Sequence, residues 1–151
     1  MKTQRFLSRI ALFVLASIGS SGQALAQNKP TPTASPIFID TQSAQWQACE
    51  GLPGCKFVPL RGNAKREASE AMFQLGAGVI FPKHWHTSAE HVVVLQGRLS
   101  MNLENGERYS VGPGAFLYNP GGMIHWGDCA PGAACVYYVY DDQPYDVHLV
   151  D

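Results

Sequence analysis

Apolar and polar residues alternate with a period of two through much of the second half of the chain. Leu99, Met101 and Leu103 alternate with Arg98, Ser100 and Asn102, and Tyr109 and Val111 resume the pattern beyond Asn105 and Gly106. Side chains two apart share one face only in an extended strand, so this stretch predicts a pair of strands. The Asn-Gly pair between them predicts a two-residue hairpin turn, because both residues tolerate positive dihedrals. Val92 to Leu95 form an apolar run that leads to Gly97, and Val136 to Tyr140 supply a second run rich in β-branched and aromatic residues. Only Ala64 to Ala71 has a helix-like composition, and the alternation that follows through Met72, Gln74 and Gly76 reads it as a loop entering a strand. The expected fold is all-β with little helix: an antiparallel barrel or two-sheet sandwich.

One apolar run does not fit that rhythm. Lys2, Arg5 and Arg9 precede Ile10 to Ile18, followed by Gly19, Ser20, Ser21, Gly22 and then Ala24, Leu25 and Ala26. A basic start, a short apolar stretch and a small-x-small ending predict a secretory signal peptide over residues 1–26. The run is too short to span a bilayer, and no cysteine follows Ala26 to carry a lipid. Residues 27–36, with Pro30, Pro32 and Pro36, read as a flexible leader. A single domain is expected over 37–151, located in the periplasm or secreted, with no membrane insertion once the signal is removed.

Charge then narrows the partners. The chain holds 11 basic and 12 acidic residues, and removing Lys2, Arg5 and Arg9 leaves 8 basic ones, a net charge of about minus four. No basic stripe is present to neutralise phosphates, so nucleic acid is not an expected partner. The four cysteines fall into two pairs with five residues between the members of each: Cys49 with Cys55, and Cys129 with Cys135. Pro53-Gly54 and Pro131-Gly132 can turn the chain back within each pair. Three pairings are possible; the two local ones are favoured for an exported protein.

The chemistry-bearing residues have a spacing of their own. Gly78 is followed after five residues by His84, after one by His86, after three by Glu90 and after six by Gly97; Gly114 is followed after five by Pro120, after one by Gly122 and after two by His125. On a strand, His84 and His86 present their imidazoles to one point while Trp85 faces away. Thr87, Ser88 and Ala89 are small enough to bend the chain, and Glu90 would open the next strand with its carboxylate turned inward. His125, after the turn cluster Asn119 to Gly122, reaches the same point only if the sheet closes on itself. Three imidazoles and a carboxylate suit one divalent transition metal ion, zinc, manganese, iron, nickel or copper, and not a calcium or magnesium cage. Glu90 has a second reading, as a general base with water in its coordination position. Core or turn histidines would be the bland alternative, yet three of the five histidines occupy these positions.

Both motifs resemble those of the cupin superfamily, glycines and proline included, over Trp46 to Asp142. The 16 residues between Gly97 and Gly114 are like the short spacer of compact single-domain cupins. One position departs: Cys129 stands where an asparagine usually closes the second motif. The resemblance implies an antiparallel cupin β-barrel, jelly-roll-like, with His84, His86, Glu90 and His125 as metal ligands. It also implies a range of activities that includes dioxygenases, decarboxylases and isomerases.

The reading is therefore a metalloenzyme acting on a small oxygen-rich molecule such as a keto acid, diketone or carboxylate. Its alternative is a non-catalytic binder of metal or small ligand in the cell envelope. Four ligands leave two neighbouring positions of an octahedral ion open to water, dioxygen or substrate, and Gln74, Tyr118 and Tyr140 are the polar candidates to face them. His91 should point to the opposite face, His148 reads as incidental, and no second acid stands out. The aromatics Phe73, Phe81, Phe116, Tyr118, Trp126, Tyr138 and Tyr140 are expected in the core, where a subset could wall a pocket above the metal. An exposed Trp85 or Trp126 could support a homodimer.

Overall fold

The computed structural model describes residues 33–150, so the expected signal peptide and most of the leader lie outside the described residues. The alternating pattern becomes eleven strands, and no helix occurs among the described residues. In chain order they are β1 (Gln47–Ala48), β2 (Cys55–Gly62), β3 (Ser69–Leu75), β4 (Ile80–Trp85), β5 (Glu90–Gln96), β6 (Leu99–Leu103), β7 (Arg108–Val111), β8 (Phe116–Asn119), β9 (His125–Cys129), β10 (Cys135–Asp141) and β11 (His148–Leu149). They form two antiparallel sheets, one of order β1-β2-β3-β10-β5-β8 and one of order β11-β4-β9-β6-β7. The chain passes from one sheet to the other between β3 and β4, β4 and β5, β5 and β6, β7 and β8, β8 and β9, β9 and β10, and β10 and β11. This alternation of sheets brings motifs that are distant in sequence face to face.

Strand parity decides which side chains fill the space between the sheets. On β5, Val92 and Val94 are buried while Leu95 is exposed, so the apolar run is a one-sided strand whose outer face is also apolar. Leu75, Val94, Leu99 and Phe81 pack with Cys55, Cys129 and Cys135 in one core cluster. Ala64 to Ala68 form the turn that enters β3.

The hairpin β6–β7 is present with a different turn from the expected one. Leu103 N donates to Glu107 O at 2.9 Å and Gly106 N to Leu103 O at 3.0 Å, so three residues, 104–106, form the loop. Gly106 alone takes the left-handed conformation, at φ +86°. Asn105 acts through its side chain, Oδ1 accepting from Glu107 N at 3.0 Å, and its local hydrogen bond makes the extra residue favourable.

Both local disulfides form, Cys49–Cys55 and Cys129–Cys135. The second runs from the end of β9 to the start of β10 and so ties one sheet to the other. Gly97, at the crossing from β5 to β6, sits at φ +78°. A Cβ there would lie 2.6 Å from Ala134 O and 2.9 Å from Cys135 Sγ. The glycine is thus required twice, for its dihedral and for the backbone it lets approach.

Candidate metal centre

His84 lies near the end of β4, and His86 follows one residue beyond that strand. Trp85, between them, points the other way and stacks on His148 with ring centroids 4.0 Å apart. His125 opens β9, where it is the ladder partner of His84. Glu90 opens β5 in the opposite sheet. The three imidazoles therefore come from one wall and the carboxylate from the other, and all four side chains are buried.

Each imidazole is held through Nδ1 by a main-chain carbonyl. The acceptors are Pro82 O at 2.6 Å for His84, Met123 O at 3.0 Å for His125 and Asp146 O for His86. A carbonyl can only accept, so Nδ1 of each ring carries the proton and Nε2 is left with a free lone pair. The three ligand nitrogens lie within 4.8 Å of one another. Glu90 Oε2 lies 3.4 Å from His86 Nε2 and 3.6 Å from His125 Nε2, and Asn119 Nδ2 donates to that oxygen at 3.2 Å. Donors bound about 2.1 Å from one ion stand roughly 3.0 to 3.4 Å apart when adjacent, so the carboxylate oxygen is at that separation from His86 Nε2 and slightly beyond it from His125 Nε2. The three buried histidines could hold a metal ion, and their Nδ1 hydrogen bonds leave Nε2 of each ring free to ligate it.

Burial sets the charge of the rings. It pushes the His84 imidazole down to about 4, against the raising effect of the Pro82 hydrogen bond, with the neighbouring His125 and His86 rings lowering it further. Burial likewise lowers His125. Both rings are then neutral near pH 7, the protonation state that a ligand needs.

A row of polar groups crosses the inner face of the six-stranded sheet at the level of the site. Ladder pairing aligns Ser69 of β3, Asp141 of β10, Glu90 of β5 and Asn119 of β8, and all four are buried. Asp141 Oδ1 accepts from Ser88 Oγ at 3.1 Å. Burial, with the nearby charge of Glu90, pushes the Asp141 carboxyl up to about 7. This second acid escaped the sequence reading, although parity from Cys135 through Tyr137 and Val139 points it inward. Tyr145 was also missed; its ring lies 5.3 Å from that of His86. Burial raises the phenols of Tyr145 and Tyr137, and the charge of Glu90 adds to the effect.

The three polar candidates for the open positions do not reach the site. Gln74, Tyr118 and Tyr140 adjoin the inward-facing Leu75, Asn119 and Asp141, so parity turns them to the outer face. Tyr118 is 54% exposed. His91 is on that face too, as expected, between the rings of Phe116, Tyr118 and Tyr140. Of the aromatic set, Phe81 is core and Phe73 packs against it, whereas Phe116 is exposed. Trp85 and Trp126 are half-buried rather than exposed, one under His148 and the other beneath Lys83, whose Nζ lies 5.6 Å from the ring centroid. A cavity of about 300 Å³ lined by Ile80, Asn102, Trp126 and Asp128 borders the five-stranded sheet and does not touch the histidines.

Comparison with known proteins agrees with this architecture. A polyketide cyclase, RemF from Streptomyces resistomycificus, superposes with a TM-score of 0.67 at 20% identity, over 78% of this chain and 87% of its own. KdgF from Halomonas sp. gives 0.60 at 20% identity, over 72% and 94%. A chain from the complex of Rhodobacter sphaeroides SigE with the anti-sigma ChrR gives 0.56 at 21% identity, over 68% of this chain and 51% of its own. These likenesses establish the cupin fold. No curated protein sequence matches the chain. The ChrR cupin-like domain family does match, over residues 34–144, and with both motifs in place the chain belongs to that family.

Proposed function

We propose that this chain is an exported metal-binding cupin in which His84, His86, Glu90 and His125 hold one divalent transition metal ion. We further propose that it acts as a metalloenzyme on a small oxygen-rich molecule such as a keto acid, diketone or carboxylate. The observation that carries the metal reading is the set of three Nδ1–carbonyl hydrogen bonds, which leaves three Nε2 lone pairs converging beside one carboxylate. Zinc, manganese, iron, nickel or copper in such a site would supply Lewis acidity, and the redox-active members electron transfer. Around it, Asn119 orients the Glu90 carboxylate, and Asp141 holds a proton on the same wall near neutral pH. The two disulfides point to an oxidising environment, which supports the periplasm or the exterior as the place of work.

A non-catalytic binder is the second reading, and the burial of all four ligand side chains favours it. The two readings separate experimentally. Protein purified from its native compartment should contain about one equivalent of a transition metal by elemental analysis, and His84→Ala should lose it. The metal-loaded protein should then convert a member of a small-acid and diketone panel or consume dioxygen. Stoichiometric metal with no turnover across the panel would select the binder, and metal-free protein that takes up none of the five ions would reject the metalloenzyme and the metal binder alike.

A further inference from the structure

The turn between His86 and Glu90 is only three residues long, and each of the three is held by a different aspartate from the C-terminal segment. Thr87 N donates to Asp146 Oδ1 at 2.7 Å, Ser88 Oγ to Asp141 Oδ1 at 3.1 Å and Ala89 N to Asp142 Oδ1 at 2.9 Å. The same segment supplies the carbonyl of Asp146 that accepts from His86 Nδ1. Beyond it, His148 and Leu149 form β11, the ladder partners of Trp85 and His84. His148 Nε2 is 2.9 Å from Asp146 Oδ2, and its ring stacks on Trp85. Val150 N then donates to Lys83 O at 3.0 Å. The segment thus runs beside the ligand strand and is fastened to it before, between and after the two histidines.

We propose that residues 141–150 form a strap that positions His86, with Asp146 as its key positioning residue. The main-chain carbonyl of Asp146 fixes the tautomer and tilt of the His86 ring, and its carboxylate, tied to Thr87 N and His148, fixes that carbonyl. His84 and His125 take their carbonyls from Pro82 and Met123, two residues before each ring. Their orientation is local to the strand. That of His86 spans 60 residues, so it alone depends on the strap. His148, which the sequence presents as incidental, becomes the clasp that keeps Asp146 in place. Groups that orient a ligand in this way change metal affinity by about 10- to 100-fold when removed.

The inference rests on the metal-binding reading, but one of its two tests does not. In metal-free protein, side-chain nitrogen NMR should show all three site histidines protonated at Nδ1. Asp146→Ala should convert His86 to a tautomer mixture while the signals of His84 and His125 stay in place. With zinc as the probe, the same variant should bind at least about tenfold more weakly than wild type, and His148→Ala should show a smaller loss in the same direction. If Asp146→Ala does not fold, His148→Ala, which leaves the acceptor for Thr87 N in place and removes only the clasp, is read by the same two measurements and should shift both in the same direction. An unchanged His86 tautomer overturns the proposal, and so does wild-type zinc affinity in the variant. Wild-type protein that binds no zinc while the His86 tautomer still responds to Asp146 would refute zinc binding alone and leave the strap standing.

Discussion

Asp141 faces Glu90 across the β10–β5 ladder, two carboxyl groups turned into the same enclosed space. Burial raises the Asp141 pKa from its ordinary 3.8 to about 7. The folded state therefore holds a proton that the unfolded chain releases near pH 4, and the unfolded chain binds fewer protons throughout that window. Stability contributed by this group is complete below about 3.8 and is lost as pH rises towards 7. Asp141→Asn cannot ionise, so its thermal midpoint relative to wild type should rise between pH 4 and pH 8 in metal-free protein. A flat difference would contradict a protonated Asp141. At this scale the sequence revealed the four motif residues because their spacing and types are unusual. It hid Asp141, Asp142 and Asp146, since an aspartate is common on surfaces and only three-dimensional pairing shows which one turns inward. Gln74, Tyr118 and Tyr140 failed for the converse reason: chemistry suggested them, and parity alone excludes them.

Among the strands, β3 and β5 line the centre of the six-stranded sheet with Leu75 and Val94, both fully buried. Leu75→Ala should cost about 3 kcal/mol, the transfer and cavity terms together, measured by chemical denaturation. The loss should come without change in the site, because Leu75 and Ser69 lie at opposite ends of β3. Strands were legible where alternation was long, as in the β6–β7 hairpin. The turn was less so. Asn105 satisfied a neighbouring amide with its side chain instead of adopting a positive dihedral, a choice between two favourable local arrangements that composition does not make. The short β11 was invisible because two residues carry no periodicity, and what defines it is the ladder with β4.

For the whole molecule, closure between the sheets is what assembles the centre, and the Cys129–Cys135 bridge secures it from the far end of the strand that carries His125. Replacing both cysteines by serine should lower stability by up to about 2.4 kcal/mol on the loop-entropy argument, read from guanidinium unfolding. No loss would mean that the sheets stay joined without the bridge. Both cysteine pairs were legible because each encloses its own turn, and the barrel was legible through its motifs. The outer surface was not: Phe116 and Tyr118, rather than either tryptophan, stand exposed around His91 on the six-stranded sheet. The three imidazoles are each oriented by a peptide oxygen, an atom that every residue type possesses. No single codon change can delete those acceptors, so the geometry of His84 and His125, whose acceptors lie two residues away along the chain, is robust to mutational drift; His86, whose acceptor is 60 residues distant, is the one ligand open to retuning by a side-chain change elsewhere.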